Sequence, residues 1–161
     1  TKTSDGKDVV FAFVGAGSML DELKEYVHKN NMANVIFIPY QDKKDLVYSL
    51  NAGDVHWVVN AKNIKGVSVP SKCYGVMAAG KPVMGVLEDN SECFNIINDS
   101  QCGLCCEPGD YEAIEKQLKW FIDNASNDNL EIMGTNGREY VCKYLTKKVS
   151  VDKYRENILQ V

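Results

Sequence analysis

Residues 66–83 read GVSVPSKCYGVMAAGKPV, and this stretch decides the fold because it predicts a loop, a helix and a strand in succession. Ser71 favours a helix start, since its hydroxyl can accept a hydrogen bond from an amide of the first turn. Gly80 suits the left-handed residue that ends a helix, and Pro82 cannot continue one. We therefore expect a helix over 71–79 and a strand directly after it.

The start of this helix has the chemistry of an anion site. The first amides of a helix are unpaired and attract phosphate groups, and Lys72 adds a positive charge in the first turn. A lysine at that position opposes the helix dipole, so a bound anion would relieve a local repulsion. The alternative interpretation is an ordinary surface lysine that follows a helix cap, and the segment alone does not decide between the two.

Composition bounds the class of protein. The chain has 161 residues, of which 45% are hydrophobic and 25% charged, the balance of a soluble globular domain or of part of a larger one. Its net charge of −4 argues against nucleic acid as a partner, because phosphate contacts need a basic surface. No apolar run approaches the length that spans a bilayer, and the polar residues 1–8 are unlike a signal peptide. We therefore expect a cytoplasmic protein.

The cysteines are interpreted as structural. They are scattered along the chain, at Cys73, Cys93, Cys102, Cys105, Cys106 and Cys142. Cys102 and Cys105 form a C-x-x-C pair, but a zinc site usually needs a second pair or nearby histidines. His28 and His56 lie elsewhere, at a predicted exposed helix position and a predicted strand position. We expect no metal site, and small buried thiols in a reducing compartment.

Strands and helices alternate along most of the chain. Strands are predicted at 9–14, 35–38, 55–59, 82–86 and 103–106, and helices at 18–30, 46–53, 71–79 and 92–98. This alternation predicts an α/β fold, a Rossmann-like doubly wound parallel sheet flanked by helices. The first strand should then be buried on both faces, and Trp57 should lie in the core. Ligands bind at the carboxyl ends of such strands, so the segments after residues 14, 38 and 59 are expected to form one rim.

After the last strand the pattern is purely helical. Asp110 can cap a helix, and a second helix follows around Ile132–Leu145, although Gly134 and Gly137 weaken its start. The tail from Ser150 to Val161 predicts one more amphipathic helix. We therefore expect a helical C-terminal tail after the sheet.

Six segments resemble, in order, the motifs of one enzyme family. They are V-G-x-G at 14–17, N-V-x-F in 35–40, A-x-D at 52–54, P-S-K through M-A-A-G-K-P-V at 70–83, G-x-G-L-x-x-x-P-G-D in 102–110, and M-G-x-N-G-R at 133–138. Through them the chain resembles the C-terminal, donor-binding domain of a GT-B glycosyltransferase of the retaining "glycosyl transferases group 1" kind. Bacterial enzymes that build capsule, O-antigen and other surface polysaccharides are similar to it.

The resemblance implies an activity for the full-length protein. Such enzymes move a sugar from a nucleoside diphosphate to a hydroxyl of a saccharide or lipid-linked saccharide, with retention at the anomeric carbon. They generally need no metal and no other cofactor, because helix amides and basic side chains neutralise the departing diphosphate. The resemblance also implies work in the cytoplasm, with a possible peripheral association with the inner face of the membrane.

The resemblance further implies which residues bind the donor. The diphosphate would lie on the amides of Val67 and Ser68, and the Gly15–Gly17 turn would line the cleft. The full donor-binding set is Gly15, Gly17, Pro39, Tyr40, Gln41, Gly66, Val67, Ser68, Ser71, Lys72 and Gly75. Within it, the segment 39–41 would contact the nucleobase. No residue is assigned a catalytic role.

Two departures from the family pattern matter. Gly75 stands where the family usually has a glutamate that binds the nucleotide ribose, and Lys65 precedes Gly66 where a glutamate is common. The family's first strand and helix, and its N-terminal acceptor domain, would lie before Thr1. We therefore expect residues 1–161 to be a partial C-terminal nucleotide-sugar-binding domain that is inactive by itself.

Other interpretations remain open. A nucleotide-sugar epimerase of GT-B fold would share the base pocket, and a non-catalytic nucleotide-binding domain would fit the glycine at position 75. The Gly15–Gly17 turn could belong to a dinucleotide fingerprint, but Leu20 stands where the third glycine belongs. Asp54 is more easily a turn residue than a catalytic acid, Arg138 a helix-packing residue, and Tyr40 a strand-end packing residue.

Overall fold

The computed structural model describes residues 2–3 and 6–159 and has the predicted alternation of strands and helices. The described strands are β1 (Phe11–Val14), β2 (Val35–Ile38), β3 (His56–Val59), β4 (Val83–Val86) and β5 (Gly103–Cys106). The described helices are α1 (Leu20–Lys29), α2 (Leu46–Ala52), α3 (Lys72–Ala78), α4 (Glu92–Ser100), α5 (Tyr111–Asp123), α6 (Asn129–Tyr144) and α7 (Lys147–Leu159). A 3-10 turn at Lys43–Asp45, which the sequence pattern did not indicate, leads into α2.

The strands form two parallel sheets rather than one. β1 pairs with β2, with Phe11 opposite Val35. β3, β4 and β5 pair in that order, with Val83 of β4 between His56 and Gly103. Every pair is parallel, so the predicted α/β class is confirmed. The division arises because no described strand pairs with the second edge of β1 or of β3.

The core lies around the three-stranded sheet, with helices on both of its faces. All four residues of β4 are buried. On one face, Val83 packs in a cluster with residues of α3 and α4, against which Tyr140 and Val141 of α6 also pack. On the other face, Met84 packs with Phe121 of α5 and Leu130 of α6. The apolar β4 sequence is therefore buried on both faces, as in a typical parallel sheet.

The expectation that the first strand is buried on both faces is wrong. Phe13 and Val14 of β1 are 44% and 47% exposed, and Phe13 stacks on Phe37 of β2, with ring centroids 5.5 Å apart. Trp57 of β3, expected in the core, is also 44% exposed. Both residues belong to strands at the edge of a sheet, and neither β1 nor β3 pairs with a second described strand on its other side.

The end of α3 is as predicted. Gly80 has φ +70°, the left-handed conformation that glycine adopts without strain. Its amide donates to the carbonyl of Met77 at 3.0 Å, and the amide of Lys81 donates to that of Val76 at 3.2 Å. These two bonds form the Schellman arrangement, which satisfies the last carbonyls of the helix.

The start of α3 differs from the expectation. Ser71 already has helical backbone angles, and its hydroxyl caps no amide of the described chain. The first turn is instead closed by backbone bonds from Cys73 to Pro70 at 3.0 Å and from Tyr74 to Ser71 at 3.2 Å. A serine whose own backbone is helical cannot direct its hydroxyl as an N-cap does, so the prediction of a serine cap is wrong.

Helix α6 runs unbroken through both glycines that were expected to weaken it. A side chain at Gly134 would overlap the carbonyl oxygen of Gly80, and a Cβ at Gly137 would lie 2.9 Å from the Cβ of Cys102. Arg138 donates from Nη1 to the carbonyl of Ala78 at 2.8 Å, which confirms it as a packing residue. The late glycine-arginine motif therefore lets α6 lie against the end of α3.

The chain ends agree with the expectation as far as they are described. Asp110 caps α5 by accepting from the amide of Ala113 at 3.0 Å, as predicted. The tail helix is α7, and its predicted last residues, 160 and 161, lie outside the described residues. At the polar start, Lys2 and Asp8 form an isolated antiparallel bridge, while residues 1, 4 and 5 lie outside the described part.

Candidate functional site

The carboxyl ends of the strands carry the predicted donor-binding segments. Within a parallel sheet these ends meet at one rim. The Gly15 amide donates to the carbonyl of Ile38 at 3.0 Å, so the turn after β1 lies beside the Pro39 segment after β2. In the other sheet, the loop over 60–71 follows β3 and contacts the segment after β4 through hydrogen bonds to Glu88. The structure therefore brings the predicted residues together in two groups, one at the rim of each sheet.

The loop over 60–71 is folded on itself. Asn60 donates from its side chain to the carbonyl of Ser68 at 3.1 Å. The amides of Val67 and Ser68 donate to the carbonyl of Ile64 at 3.0 and 3.1 Å. Gly66 has φ +76°, which permits this tight turn. The two amides expected to hold a diphosphate are thus already engaged in this conformation, and that role, which stays a prediction, would require the loop to release Ile64.

Free donors are found at the start of α3. The amides of Ser71 and Lys72 have no acceptor among the described residues. Both side chains are exposed, and Lys72 forms no ion pair within the described part of the chain. α3 has only seven residues, so its amides and the full charge of Lys72, rather than a long helix dipole, are what an anion would meet.

The segment after β2 presents an aromatic surface. Tyr40 is 78% exposed, so it is not the strand-end packing residue of the alternative interpretation. The side chain of Gln41 donates to the carbonyl of Pro39 at 2.7 Å and closes a short turn. Beside it, added Cβ atoms at Gly15 and Gly17 would have no described atom within 4 Å. An exposed ring next to open space can stack on a planar ligand.

Gly75 is not required by packing. A Cβ at this position would lie 3.6 Å from Cδ1 of Leu50, an ordinary van der Waals contact. The backbone there is part of α3 and has no positive φ. The absence of the family's glutamate is therefore a difference in chemistry rather than a steric necessity.

The cysteines are mostly buried, as expected. Cys73, Cys93, Cys102 and Cys106 are buried and Cys105 is half-buried, but Cys142 is exposed on α6. Burial raises the pKa of the Cys105 thiol to about 12, and it also raises the pKa of Cys102. Both members of the C-x-x-C pair are therefore neutral thiols. Within residues 2–3 and 6–159, no three His, Cys, Asp or Glu side chains come together as a metal site.

A polar cavity of about 510 Å³, missed by sequence reasoning, lies at the opposite end of the three-stranded sheet. Asp54 lines it just before β3, and Lys81 and Pro82 line it just before β4. Asp54 is therefore remote from the rim, in agreement with its interpretation as a turn residue. Ligands of parallel sheets bind at the carboxyl ends of the strands, so we assign no ligand to this cavity.

The described helices include none that could cross a bilayer, since none is both long and apolar enough.

Comparison with known proteins identifies the family. Residues 2–140 match the family described as Glycosyl transferases group 1. The chain is 28% identical over 144 residues to the probable glycosyltransferase WbjE of Pseudomonas aeruginosa, covering 89% of this chain and 35% of WbjE. It is 27% identical over 141 residues to the putative colanic acid biosynthesis glycosyl transferase WcaI of Escherichia coli K12, covering 87% and 33%. The chain thus spans about a third of the length of these relatives.

Solved structures share the fold. Sucrose-phosphate synthase from Thermosynechococcus elongatus superposes with a TM-score of 0.72 at 18% identity, over 98% of this chain and 40% of the synthase. WaaG, a glycosyltransferase involved in lipopolysaccharide biosynthesis, gives 0.68 at 16% identity, over 92% and 37%. The pneumococcal O-GlcNAc transferase GtfA, solved with UDP and GlcNAc, gives 0.64 at 15% identity, over 94% and 29%. The matched family segment covers β1 to β5 and both groups of rim residues. The chain therefore belongs to the glycosyl transferases group 1 family.

Proposed function

We propose that this chain is the donor-binding half of a retaining glycosyltransferase. It binds a nucleoside-diphosphate sugar, and the whole protein transfers that sugar to a saccharide or lipid-linked saccharide during surface-polysaccharide synthesis. The observation that carries the proposal is the family match over residues 2–140, which spans every rim loop. The names of WcaI and WaaG support the polysaccharide assignment, and the UDP in GtfA supports a nucleotide donor. Such an enzyme would work in the cytoplasm, in peripheral contact with the membrane face where lipid-linked acceptors lie.

The diphosphate is bound at the loop over 60–71 and the start of α3. The unpaired amides of Ser71 and Lys72, together with the Lys72 ammonium, offer hydrogen bonds and charge to phosphate oxygens. Val67 and Ser68 add their amides if the loop releases the Ile64 carbonyl. This positive environment stabilises the leaving diphosphate, so no metal is needed. The exposed Tyr40 ring contacts the nucleobase.

A further strand, with its own helix, completes the sheet in the whole protein. It lies between β1 and β3 and joins the two sheets, which is supported by the unpaired edges of these strands. Amides alternate in direction along a parallel strand. Since those of Phe11 and His56 point to β2 and β4, those of Ala12 and Trp57 point to the unpaired edges. An acceptor-binding domain precedes this strand, so residues 1–161 are inactive by themselves.

The strand proposal is tested by amide hydrogen exchange in a longer protein that includes the preceding residues. We expect the amides of Ala12, Val14, Trp57 and Val59 to exchange rapidly in residues 1–161 and to become protected in the longer protein. Val58, whose amide points to β4, should be protected in both and serves as the internal control. Rapid exchange at all four edge amides in the longer protein would contradict the inserted strand.

Donor binding is tested by titrating the chain, and then the longer protein, with UDP, GDP, ADP and uridine while chemical shifts are followed. We expect saturable binding of one nucleoside diphosphate, weaker for the corresponding nucleoside. Lys72→Ala should weaken diphosphate binding by about tenfold and leave nucleoside binding unchanged, because the loss is a charge-assisted contact. Lys119→Ala, which removes an exposed lysine of α5, is the matched control. Equal weakening for nucleoside and diphosphate would contradict the assigned role of Lys72.

Turnover by the whole protein separates the remaining alternatives. Transfer to an added saccharide acceptor, with the anomeric configuration of the product determined by NMR, is the expected result. Isomerisation of the donor sugar without an acceptor would identify an epimerase instead. Nucleotide binding without turnover of any donor would identify a non-catalytic domain. Gly75→Glu, whose Cβ would make only an ordinary contact with Leu50, should tighten binding if the ribose lies beside α3 as the family resemblance implies.

A further inference from the structure

The carboxylate of Glu88 holds three consecutive amides of the loop over 60–71. Glu88 lies two residues after the end of β4. Its Oε1 accepts from the amide of Asn63 at 3.0 Å, and its Oε2 accepts from those of Ile64 and Lys65 at 3.0 and 2.8 Å. One side chain therefore pairs three backbone donors in a loop whose own residues are otherwise mostly exposed.

Further bonds connect this contact to the sheet. Lys65 donates from Nζ to the carbonyl of Asp89 at 2.7 Å. The amide of Asp89 in turn donates to Oε1 of Glu107, which follows β5, at 2.6 Å. The loop is thus tied to the carboxyl ends of both β4 and β5. Asn63 has φ +67°, a conformation that non-glycine residues adopt at a cost, and its amide is one of the three that Glu88 holds.

Glu88 is charged at neutral pH. Desolvation raises the pKa of its carboxyl, but the three amides and the charge of Lys65 together outweigh it and leave the pKa below its ordinary value. The other charged side chains of this corner, Asp89 and Glu107, are both acidic. The carboxylate is therefore held by backbone dipoles and by a single lysine.

We propose that Glu88 is a positioning residue for the donor diphosphate: it fixes the loop over 60–71 so that the start of α3, where the amides of Ser71 and Lys72 are free, is held ready at the rim. This inference rests on the proposed function. Glu88 itself does not contact the donor, because its oxygens are occupied by the amides of 63–65. A loop ordered in advance loses less entropy when the ligand binds, which raises affinity.

Electrostatics alone predicts the opposite effect, and this makes the inference testable. A carboxylate near a diphosphate repels it, so a mere loss of charge in Glu88→Gln would strengthen binding. Loss of the ordered loop would weaken it. The sign of the change in affinity therefore separates a positioning role from a bystander charge.

The first measurement is amide hydrogen exchange in the ligand-free chain. In Glu88→Gln, where one oxygen is replaced by an NH₂ group, we expect amides among Asn63, Ile64 and Lys65 to exchange about tenfold faster or more. In the unchanged chain the three amides should lose protection together as the pH falls through the lowered pKa of Glu88. Asp89→Asn makes the same charge change one residue away and should leave exchange unaltered, since that carboxylate accepts a hydrogen bond from the side chain of Asn90 and from no loop amide among the described residues. Unaltered exchange in Glu88→Gln would show that the Glu88 carboxylate does not hold these loop amides.

The second measurement is nucleotide affinity, in the chain or in the longer protein if only that binds. For the nucleoside diphosphate that binds, Glu88→Gln should reduce affinity by about tenfold, with nucleoside affinity and melting temperature unchanged. Unchanged or tighter diphosphate binding, with the loop amides released, would overturn the positioning role and leave the proposed function standing. If no nucleotide binds to either protein, the proposed function fails and the positioning role fails with it. The exchange data would still show whether Glu88 holds the loop amides, and so would separate a missing donor site from a missing contact between Glu88 and the loop.

Discussion

The two sheets of this molecule have the same local structure and opposite surroundings. β1 and β4 are both four-residue apolar strands in parallel ladders. Every residue of β4 is buried, whereas all four described residues of β1 are exposed or only partly buried. The difference lies in what covers them: α3, α4, α5 and α6 pack around β4, and α1, which follows β1, contributes no buried residue among those described. An apolar strand is therefore buried by its neighbours and not by its composition.

The largest expected difference between the sheets is in local stability. In native-state hydrogen exchange, the amide of Met84 in β4 should open only with global unfolding. The amide of Phe13, which is paired with β2, should open with a free energy at least about 3 kcal/mol lower, because few buried contacts hold that unit. Equal opening free energies would show that the two sheets unfold as one unit.

A matched pair of isoleucines tests the same contrast by mutation. Ile97 on α4 is 0% exposed and Ile36 on β2 is 43% exposed. Ile97→Ala should reduce the free energy of unfolding by about 2–5 kcal/mol, whereas Ile36→Ala should cost less than about 1.5 kcal/mol. Urea denaturation followed by circular dichroism measures both. Similar losses of unfolding free energy in the two variants would mean that Ile36 is packed more tightly than its exposed fraction indicates.

A pair of glycines sharpens the comparison at helix contacts. A Cβ at Gly134 would overlap the backbone of Gly80, whereas a Cβ at Gly17 would have no described atom within 4 Å. Gly134→Ala should therefore destabilise the chain by about 1–3 kcal/mol through overpacking, and Gly17→Ala by less than about 0.5 kcal/mol. Thermal unfolding of both variants is the measurement. If Gly134→Ala has the same melting temperature as the original chain, α6 does not lie against the end of α3 as described.

The smallest effect concerns the contact between β3 and α2. Nε2 of His56 in β3 lies 2.8 Å from the carbonyl of Leu50 in α2, and burial, with a contribution from the Lys81 charge, lowers the pKa of His56. Because the folded pKa lies below the unfolded one, the unfolded state takes up the proton first, and stability falls as the pH drops through the ordinary histidine value. The loss should stay below about 1 kcal/mol, since the ring is partly exposed.

Melting temperatures between pH 7.5 and pH 5 measure this effect. The pH dependence should shrink in His56→Gln and persist in His28→Gln, since His28 is exposed on α1. An unchanged dependence in His56→Gln would assign the slope to other groups.

Local sequence signals predicted the elements well, because they are set by neighbouring residues. Gly80, Pro82 and Asp110 fixed helix ends through backbone geometry and capping. Burial was predicted less well, because it depends on elements far away in the chain: Trp57 and the first strand were expected in the core and are half exposed.

In the candidate site, too, local features were predicted from the sequence and features that depend on distant residues were not. The rim loops follow from the alternation of strands and helices, and the exposure of Tyr40 and Lys72 agrees with a site open to ligand. Two features could not be predicted from the sequence. The amides of Val67 and Ser68 are closed onto Ile64, and Glu88 binds the loop from 23 to 25 residues away. Both depend on where a loop folds back, which no periodic pattern encodes.

The unpaired edges of β1 and β3 also determine how the isolated chain behaves at high concentration. An edge strand offers a row of free N–H and C=O groups and is a template for strands of other molecules. Here the edge strands carry exposed apolar side chains, since Val14 of β1 and Val59 of β3 are 47% and 54% exposed. Self-association by intermolecular β-pairing is thus the expected route to aggregation. Natural sheets often carry a lysine on an edge strand, which prevents pairing with other molecules. Val59→Lys is therefore the direct means of keeping the chain monomeric during measurement.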